Sequence, residues 1–344
     1  MATDGFVVYS LVDESVRTSL PRPFPFRATM DAALFASFFF SVSGKRCVVY
    51  KPVSEGNTDS FDAWLASSVE RHGHTAFTLV GAPSSAVGGG GLTLLGALGR
   101  AAAQPSIGFG CVAIAERHTS KGNEHENMLR KGEAGASWFI TQGIFDAAAV
   151  IRLLVEYGEL CRAKRVAPRK VVLTFAPVGR QKTLSFIKWL GMSVPEDLEA
   201  RIFASPNPVQ ESIAALVEVL QKILLGTAGS GVPLGLNVES VSIVKEEIDG
   251  AHTLFQTLQA TLLNARGSPW AVRWYAAADA LIAAEAEATR ALAVLRKDIG
   301  DLRAAVQHQG PPANAALVLS AAGLAALCFL LGRASTRPLL AAFK

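Results

Sequence analysis

Short apolar runs rich in β-branched and aromatic residues recur along the first three quarters of the chain, and several of them are nearly continuous. Nearly continuous runs of this kind are typical of strands buried on both faces of a parallel sheet. The pattern predicts about eight strands, at residues 6–11, 38–43, 47–51, 75–80, 108–115, 138–142, 170–176 and 234–241.

Segments with apolar residues at helical spacing separate the later strands, at residues 146–164, 182–192, 208–225 and 246–263. Alternating strands and helices predict an α/β protein, a (β/α)8 TIM-type barrel with its functional site at the carboxyl ends of the strands. Only residues 44–46 separate the second and third predicted strands, which is too short for a crossover helix. We therefore expect a barrel that is contracted in its N-terminal half.

The character of the chain changes after residue 265, where the turn-rich stretch RGSPW interrupts the pattern. Residues 271–308 combine Ala and Leu with charges at helical spacing, which indicates a long amphipathic helix that packs on a protein partner. We divide the chain into a barrel, a helical stalk and a C-terminal segment, at 1–265, 266–312 and 313–344.

The C-terminal segment contains an uncharged run at residues 315–332, followed by Arg333, Arg337 and Lys344. Its length lies at the low edge of a bilayer span, so it predicts a membrane anchor or, alternatively, a helix docked in a protein groove. We favour the anchor, which makes the protein intracellular and membrane-associated. A mildly apolar span with a basic tail is compatible with a mitochondrial or other organelle membrane.

Composition excludes some classes of protein. The chain has 344 residues, half of them apolar, and a net charge of only +4 with both signs interspersed, so we expect no nucleic-acid partner. The four cysteines lie far apart without a CxxC pair, which favours buried free thiols and a reducing compartment. We expect no metal site. The N-terminus does not resemble a secretory signal.

Polar residues that could carry chemistry follow two neighbouring predicted strands. Glu116 and His118 come directly after the strand predicted at 108–115, and Gln142 is the last residue of the next predicted strand. Parallel strands place their carboxyl ends on one rim, so we expect these side chains to converge. A planar heteroaromatic substrate is matched by a carboxamide that offers a donor and an acceptor side by side.

The same residues resemble a motif of a known protein family. The chain resembles the catalytic domain of the methylenetetrahydrofolate reductases, flavoproteins with a β/α barrel, over roughly residues 75–260. The matching residues are Glu116, His118, Lys131 eleven positions before Gln142, AGA at 134–136, ITQ at 140–142, and Phe145 with Asp146.

The resemblance implies roles for these positions. His118, Lys131, Glu116 and Glu124 would form the FAD site, with the Lys131 cation near the phosphates. Gln142 would hydrogen-bond the pterin ring and orient the folate, and Phe145 would stack on it. NAD(P)H would reduce the flavin, which would pass the hydride to methylenetetrahydrofolate.

The sequence also departs from the family. Where the family carries Leu-Arg-Gly-Asp beside the flavin, this chain reads LVGA, with Val80 and Ala82 at the charged positions. The general-acid Glu of the family's first strand has no counterpart, and Glu14, with Asp13, is its nearest substitute. A second hypothesis is therefore a catalytically degenerate barrel that acts as a structural or ligand-binding subunit of a membrane-associated complex.

Several positions keep an alternative interpretation. His118 could be a solvated histidine of the rim, Lys131 could lie on a solvated helix face, and Gln142 could cap a neighbouring helix. Glu239 lies in an otherwise apolar strand, where an unpaired charge is costly. It either pairs with a cation such as Arg180 or faces the site.

Overall fold

The computed structural model describes residues 3–13, 19–53, 57–81, 92–101, 104, 106–267 and 297. The described residues up to 267 form a parallel barrel. Seven parallel strands pair in sequence order and form a nearly closed barrel. The strands are β1 Phe6–Val8, β2 Cys47–Pro52, β3 Ala76–Val80, β4 Gly108–Ala113, β5 Trp138–Gly143, β6 Lys170–Phe175 and β7 Leu234–Val238.

Helices alternate with these strands. They are α1 Ala32–Ser43, α2 Thr58–Glu70, α3 Leu94–Ala101, α4 Ala115–Lys121, α5 Glu124–Glu133, α6 Ala147–Lys164, α7 Gln181–Trp189, α8 Glu196–Ala204, α9 Pro208–Gly226 and α10 Lys245–Gly267. The expected parallel barrel with alternating helices is confirmed, with seven strands in the described residues instead of eight.

The predicted strand at 38–43 is wrong, because these residues belong to α1. The Asp31 side chain accepts a hydrogen bond from the Leu34 amide at the start of this helix, and Gly44 ends it in the left-handed conformation. Such caps satisfy backbone groups that a helix leaves free at its ends, so they override the strand preference of the aromatic residues. Since α1 is itself the crossover from β1 to β2, the expected contraction of the N-terminal half is also wrong.

The strand register identifies which side chains point into the barrel. Phe139 packs edge-to-face on Tyr157 of α6, so the odd-numbered positions at the start of β5 face the helices. Trp138 therefore points inward, and its partner in β4 is Gly110. A Cβ atom at Gly110 would overlap the indole, and one at Gly108 would lie 2.7 Å from its Cζ3. Trp138 thus fills the interior against a glycine-lined strand.

The first and last strands approach each other without a described ladder between them. The Asn237 carboxamide of β7 donates a hydrogen bond to the hydroxyl of Tyr9, the residue after β1, with a distance of 3.0 Å from Nδ2 to the oxygen. This contact joins the two edges of the sheet at their carboxyl ends. It places residues from opposite ends of the barrel sequence side by side.

The predicted C-terminal elements lie outside the described residues. They include the partner helix at 271–308 and the apolar run at 315–332. Within the described residues, no helix has the length and apolar character needed to span a bilayer. The described cysteines, Cys47, Cys111 and Cys161, are buried free thiols.

Candidate functional site

Five polar side chains gather at the carboxyl ends of the strands and are called the mouth cluster here. Each lies within two residues of a strand end, and the members are Tyr9, Tyr50, Thr174, Asn237 and Glu239. Asn237 Nδ2 donates to the Tyr9 hydroxyl at 3.0 Å and contacts the Thr174 hydroxyl at 3.3 Å. Carboxyl ends of strands are where barrel proteins build their sites, so this cluster is the candidate site.

Tyr9 lies at the centre of the mouth cluster. Its ring packs against the Tyr50 ring with centroids 4.6 Å apart, and its hydroxyl shares a hydrogen bond with the Glu239 carboxylate. Thr78 of β3 pairs in register with Tyr50, and its fully buried hydroxyl has no hydrogen-bond partner among the described residues. A buried polar group without a hydrogen-bond partner costs free energy. The Thr78 hydroxyl could therefore form a hydrogen bond to a ligand beside the cluster.

Burial determines the electrostatics of the cluster. It raises the pKa of the Glu239 carboxyl, and the hydrogen bond from Tyr9 opposes this rise. Burial also raises the pKa of Tyr9 and Tyr50, and the neighbouring Glu239 charge raises both further. Because burial disfavours the charged form of each group, Glu239 keeps its proton to a higher pH than a free glutamate. When protonated, such a carboxyl can donate as well as accept a hydrogen bond.

Glu239 therefore faces the site. The alternative partner, Arg180, lies 3.4 Å from the Glu246 carboxylate instead. Sequence reasoning singled out Glu239 but overlooked Tyr9, Tyr50 and Asn237. The signal for Asn237 was its polar carboxamide in an apolar strand, whereas tyrosines are ordinary strand residues.

A second group of residues, called the aromatic rim here, lies on segments that follow β1 and β6 along the chain. Trp189 Nε1 donates to the Leu20 carbonyl at 3.0 Å. The Arg22 guanidinium lies over the rings of Phe186 and Trp189, 5.2 and 5.0 Å from their centroids. The guanidinium stacks on rings and is not paired with a described carboxylate, so its charge remains available at the rim.

Gln142 lies one residue before the end of β5, as the sequence predicts. Its Nε2 donates to the Leu190 carbonyl, the C-cap of α7, at 2.8 Å. This is the helix-capping interaction that the alternative interpretation describes. A contact between Gln142 and a pterin ring stays a prediction, and it would use the carboxamide oxygen or the second N–H of Nε2.

Three predicted site residues do meet. Glu116, Gln142 and Phe145 line one small cleft at the ends of β4 and β5. Glu116 Oε1 accepts a hydrogen bond from the Ser193 amide at 3.1 Å, and burial raises the pKa of this carboxyl. Phe145 is only 2% exposed, so its ring belongs to the core and offers little face for stacking.

His118 lies in the helical layer, outside the mouth. It is 3% exposed, and its Nε2 lies 3.1 Å from Glu156 Oε2 of α6. Its ring packs edge-to-face on His125 of α5, with centroids 5.0 Å apart. The interpretation of His118 as a solvated rim histidine is therefore wrong.

Lys131 is also buried, at 9% exposure. Its Nζ donates to the Val112 carbonyl at 2.9 Å and to Glu124 Oε1 at 3.2 Å, and Glu124 is only 1% exposed. The ammonium therefore has an ion-pair partner within its own helix and does not lie on a solvated face. Among the described residues, no contact of Lys131 is shared with His118 or Gln142.

The described residues do not fit an FAD site built from the predicted set. A pyrophosphate needs cations whose charge is still available, and Glu124 already offsets Lys131. Val80 supplies no charge at the end of β3, while Ala82 and the tentative acid Glu14 lie outside the described residues. No catalytic step through a flavin follows from these residues.

Comparison with known proteins gives a likeness to a solved structure. No family model matches the chain, and no curated protein matches it. A solved structure described as an uncharacterized protein from Clostridium thermocellum that binds two copies of 5-methyl-5,6,7,8-tetrahydrofolic acid is 26% identical, with a TM-score of 0.63. The match covers 76% of this chain and 84% of that one. This chain is thus similar to a folate-binding barrel.

Proposed function

We propose that this protein binds a reduced folate in the mouth of its barrel. The observation that carries the proposal is the likeness to a 5-methyltetrahydrofolate-binding barrel over 76% of this chain. The mouth cluster supports it, because it places polar groups and aromatic faces together at the strand ends. Ligand sites of this kind combine apolar walls with a few placed polar groups.

The chemistry of a pterin suits these groups. Its pyrimidine edge presents N–H donors beside a carbonyl acceptor, which a carboxyl and a carboxamide can match. Glu239 would accept from the N–H groups, and Asn237 would donate to the carbonyl. Both now bond Tyr9, so the ligand would replace an internal hydrogen bond with an equivalent one.

The rim suits the other end of the ligand. Folates carry carboxylates on their glutamate tail, and the Arg22 and Lys182 cations lie over aromatic rings of the rim. A cation at the rim attracts an anionic tail while the mouth cluster holds the ring. This arrangement supports binding with the pterin inward and the tail outward.

Isothermal titration of the full-length protein with 5-methyltetrahydrofolate tests the proposal. We expect saturable binding, and the titration also gives the number of sites. Glu239→Gln and Asn237→Ala should each weaken binding about tenfold or more, because a buried partner left unpaired costs roughly 1–3 kcal/mol. Glu246→Gln is the control, since this carboxylate is exposed on α10. Absence of binding, or equal affinity in all three variants, would overturn the proposal.

A flavin-dependent reductase is the second candidate, favoured by the AGA, ITQ and FD motif of residues 134–146. It differs from pure binding in two readouts. A reductase should purify with flavin absorbance and should oxidise NAD(P)H when methylenetetrahydrofolate is added. Because Glu124 offsets the Lys131 charge, we propose binding without hydride transfer, so a colourless protein that still binds folate is the expected outcome.

Membrane attachment through residues 315–332 and a protein partner on residues 271–308 are further parts of the proposal. Their support is the uncharged run and the amphipathic pattern of the sequence. A chain lacking residues 313–344 should remain in solution without detergent. Sedimentation of that shortened chain with membranes would exclude the anchor.

A further inference from the structure

Two histidines and a carboxylate from three helices meet on the outer side of the barrel. They are His118 of α4, His125 of α5 and Glu156 of α6, called the helix-layer cluster here. His118 Nε2 lies 3.1 Å from Glu156 Oε2, and His125 Nδ1 lies 4.0 Å from the same oxygen. All three potential ligand atoms lie within 4.8 Å of one another.

These separations are close to those in a metal site. Ligand atoms that hold Zn²⁺ at about 2.0–2.1 Å in tetrahedral geometry are about 3.3–3.5 Å apart. The observed pairs lie on either side of that value, so small side-chain rotations would bring the three atoms onto one ion. Two imidazoles with one carboxylate form a ligand set that binds zinc in other proteins and leaves a fourth position for water.

An unsatisfied nitrogen supplies independent support. His125 Nδ1 is buried and has no hydrogen-bond partner among the described residues, since 4.0 Å is too long for a hydrogen bond to Glu156. An ion would use the lone pair of this nitrogen. His118 Nδ1 is likewise without a described partner, and metal binding through Nε2 would leave its proton unpaired. We therefore expect moderate affinity rather than the tightest zinc binding.

We propose that the helix-layer cluster binds a divalent transition metal of the zinc class. Sequence reasoning expected no metal because it considered only the cysteines, while these ligands are spread over residues 118–156. The Glu156 side chain is 40% exposed, so the ion can enter from solvent and keep a water ligand on that side. Bound metal would tie α4 and α5 to α6 and fix the connection from β4 to β5. The inference is independent of folate binding.

Metal titration of the full-length, chelator-treated protein tests the inference. We expect Zn²⁺ to bind one equivalent with micromolar or tighter affinity and to raise the unfolding temperature. Co²⁺ in its place should give the intense visible absorption of a tetrahedral site. His125→Ala and Glu156→Gln should each weaken binding at least tenfold.

Matched controls make the outcome decisive. His252→Ala and Glu159→Gln remove an exposed histidine and an exposed carboxylate, and both should bind Zn²⁺ like the unaltered protein. Glu156→Gln is conservative at a partly exposed position, so it should fold even if His125→Ala does not. No Zn²⁺ binding, or Zn²⁺ binding that survives in Glu156→Gln and His125→Ala, would overturn the inference.

Discussion

Polar residues in the mouth of the barrel and in the surrounding helical layer have opposite electrostatic surroundings. Inside the mouth, Glu239 has the neutral Tyr9 hydroxyl as its hydrogen-bond partner, and burial raises the pKa of its carboxyl. In the helical layer, Lys131 pairs with the Glu124 carboxylate. Polar groups of the mouth can still form hydrogen bonds to a ligand. In the helical layer, by contrast, the Lys131 charge is neutralised by a carboxylate of the protein itself. Residues that match a cofactor motif in type and spacing can therefore serve the fold instead.

Breaking the ion pair between Lys131 and Glu124 gives the largest expected effect on stability. Lys131→Met leaves the Glu124 carboxylate buried without its cation, so we expect the free energy of unfolding to fall by about 4 kcal/mol. Folate affinity should not change if the ligand lies on the inner face. Urea unfolding and folate titration of the same variant measure both quantities.

Lys121→Met is the control for this change, because it removes an exposed lysine from α4. Its unfolding free energy should stay within about 0.5 kcal/mol of the unaltered protein. A large loss of folate affinity in a folded Lys131→Met protein would mean that the outer face belongs to the ligand site.

Disturbing the packing of Trp138 against Gly110 inside the barrel gives a smaller effect on stability. A methyl group at Gly110 would overlap the Trp138 indole, so Gly110→Ala should cost about 2–3 kcal/mol of stability through overpacking. Gly99→Ala is the control in α3, where an added Cβ meets nothing within 4 Å. That substitution should stabilise the protein by about 0.5–1 kcal/mol. Equal thermal unfolding of the two variants would contradict an inward-facing Trp138.

The smallest effect concerns the pH dependence of stability. The pKa of Glu239 is raised in the folded protein above its usual value of 4.5, so the folded state binds this proton more tightly than the unfolded state. Its contribution is present below pH 4.5 and is lost as pH rises through the raised pKa. Each pH unit of that window costs about 1.4 kcal/mol.

Glu239→Gln lacks this titration but can still accept the Tyr9 hydrogen bond. Its stability relative to the unaltered protein should therefore improve as pH rises above 4.5. Urea unfolding between pH 4 and pH 8 gives the two curves, with Glu246→Gln as the exposed control. Parallel curves for the unaltered protein and Glu239→Gln would show that the carboxyl is not buried.

Local patterns predicted most of the barrel because its strands and helices have clear chemical boundaries. The helix predicted at 146–164 begins at Ala147 because the Asp146 side chain caps it. The segment at 38–43 is helical although its aromatic residues suit a strand equally well. The caps at Asp31 and Gly44, both visible in the sequence, were the better signal.

The candidate site was less accessible to sequence reasoning, because contacts between distant residues form it. Tyr9 and Asn237 are 228 positions apart and meet only because the sheet curls until its first and last strands approach. By contrast, Glu124 and Lys131 lie seven positions apart, two turns along one face of α5. Helical spacing could have identified that pair in advance.

Hydrogen–deuterium exchange with and without 5-methyltetrahydrofolate tests the central claim most directly, because it locates the bound ligand on the inner or the outer face. We expect added folate to slow exchange in peptides containing residues 6–9, 19–26 and 234–240. Peptides covering residues 115–133 should remain unchanged. Protection confined to residues 115–133, with none at the strand ends of β1 and β7, would contradict the account.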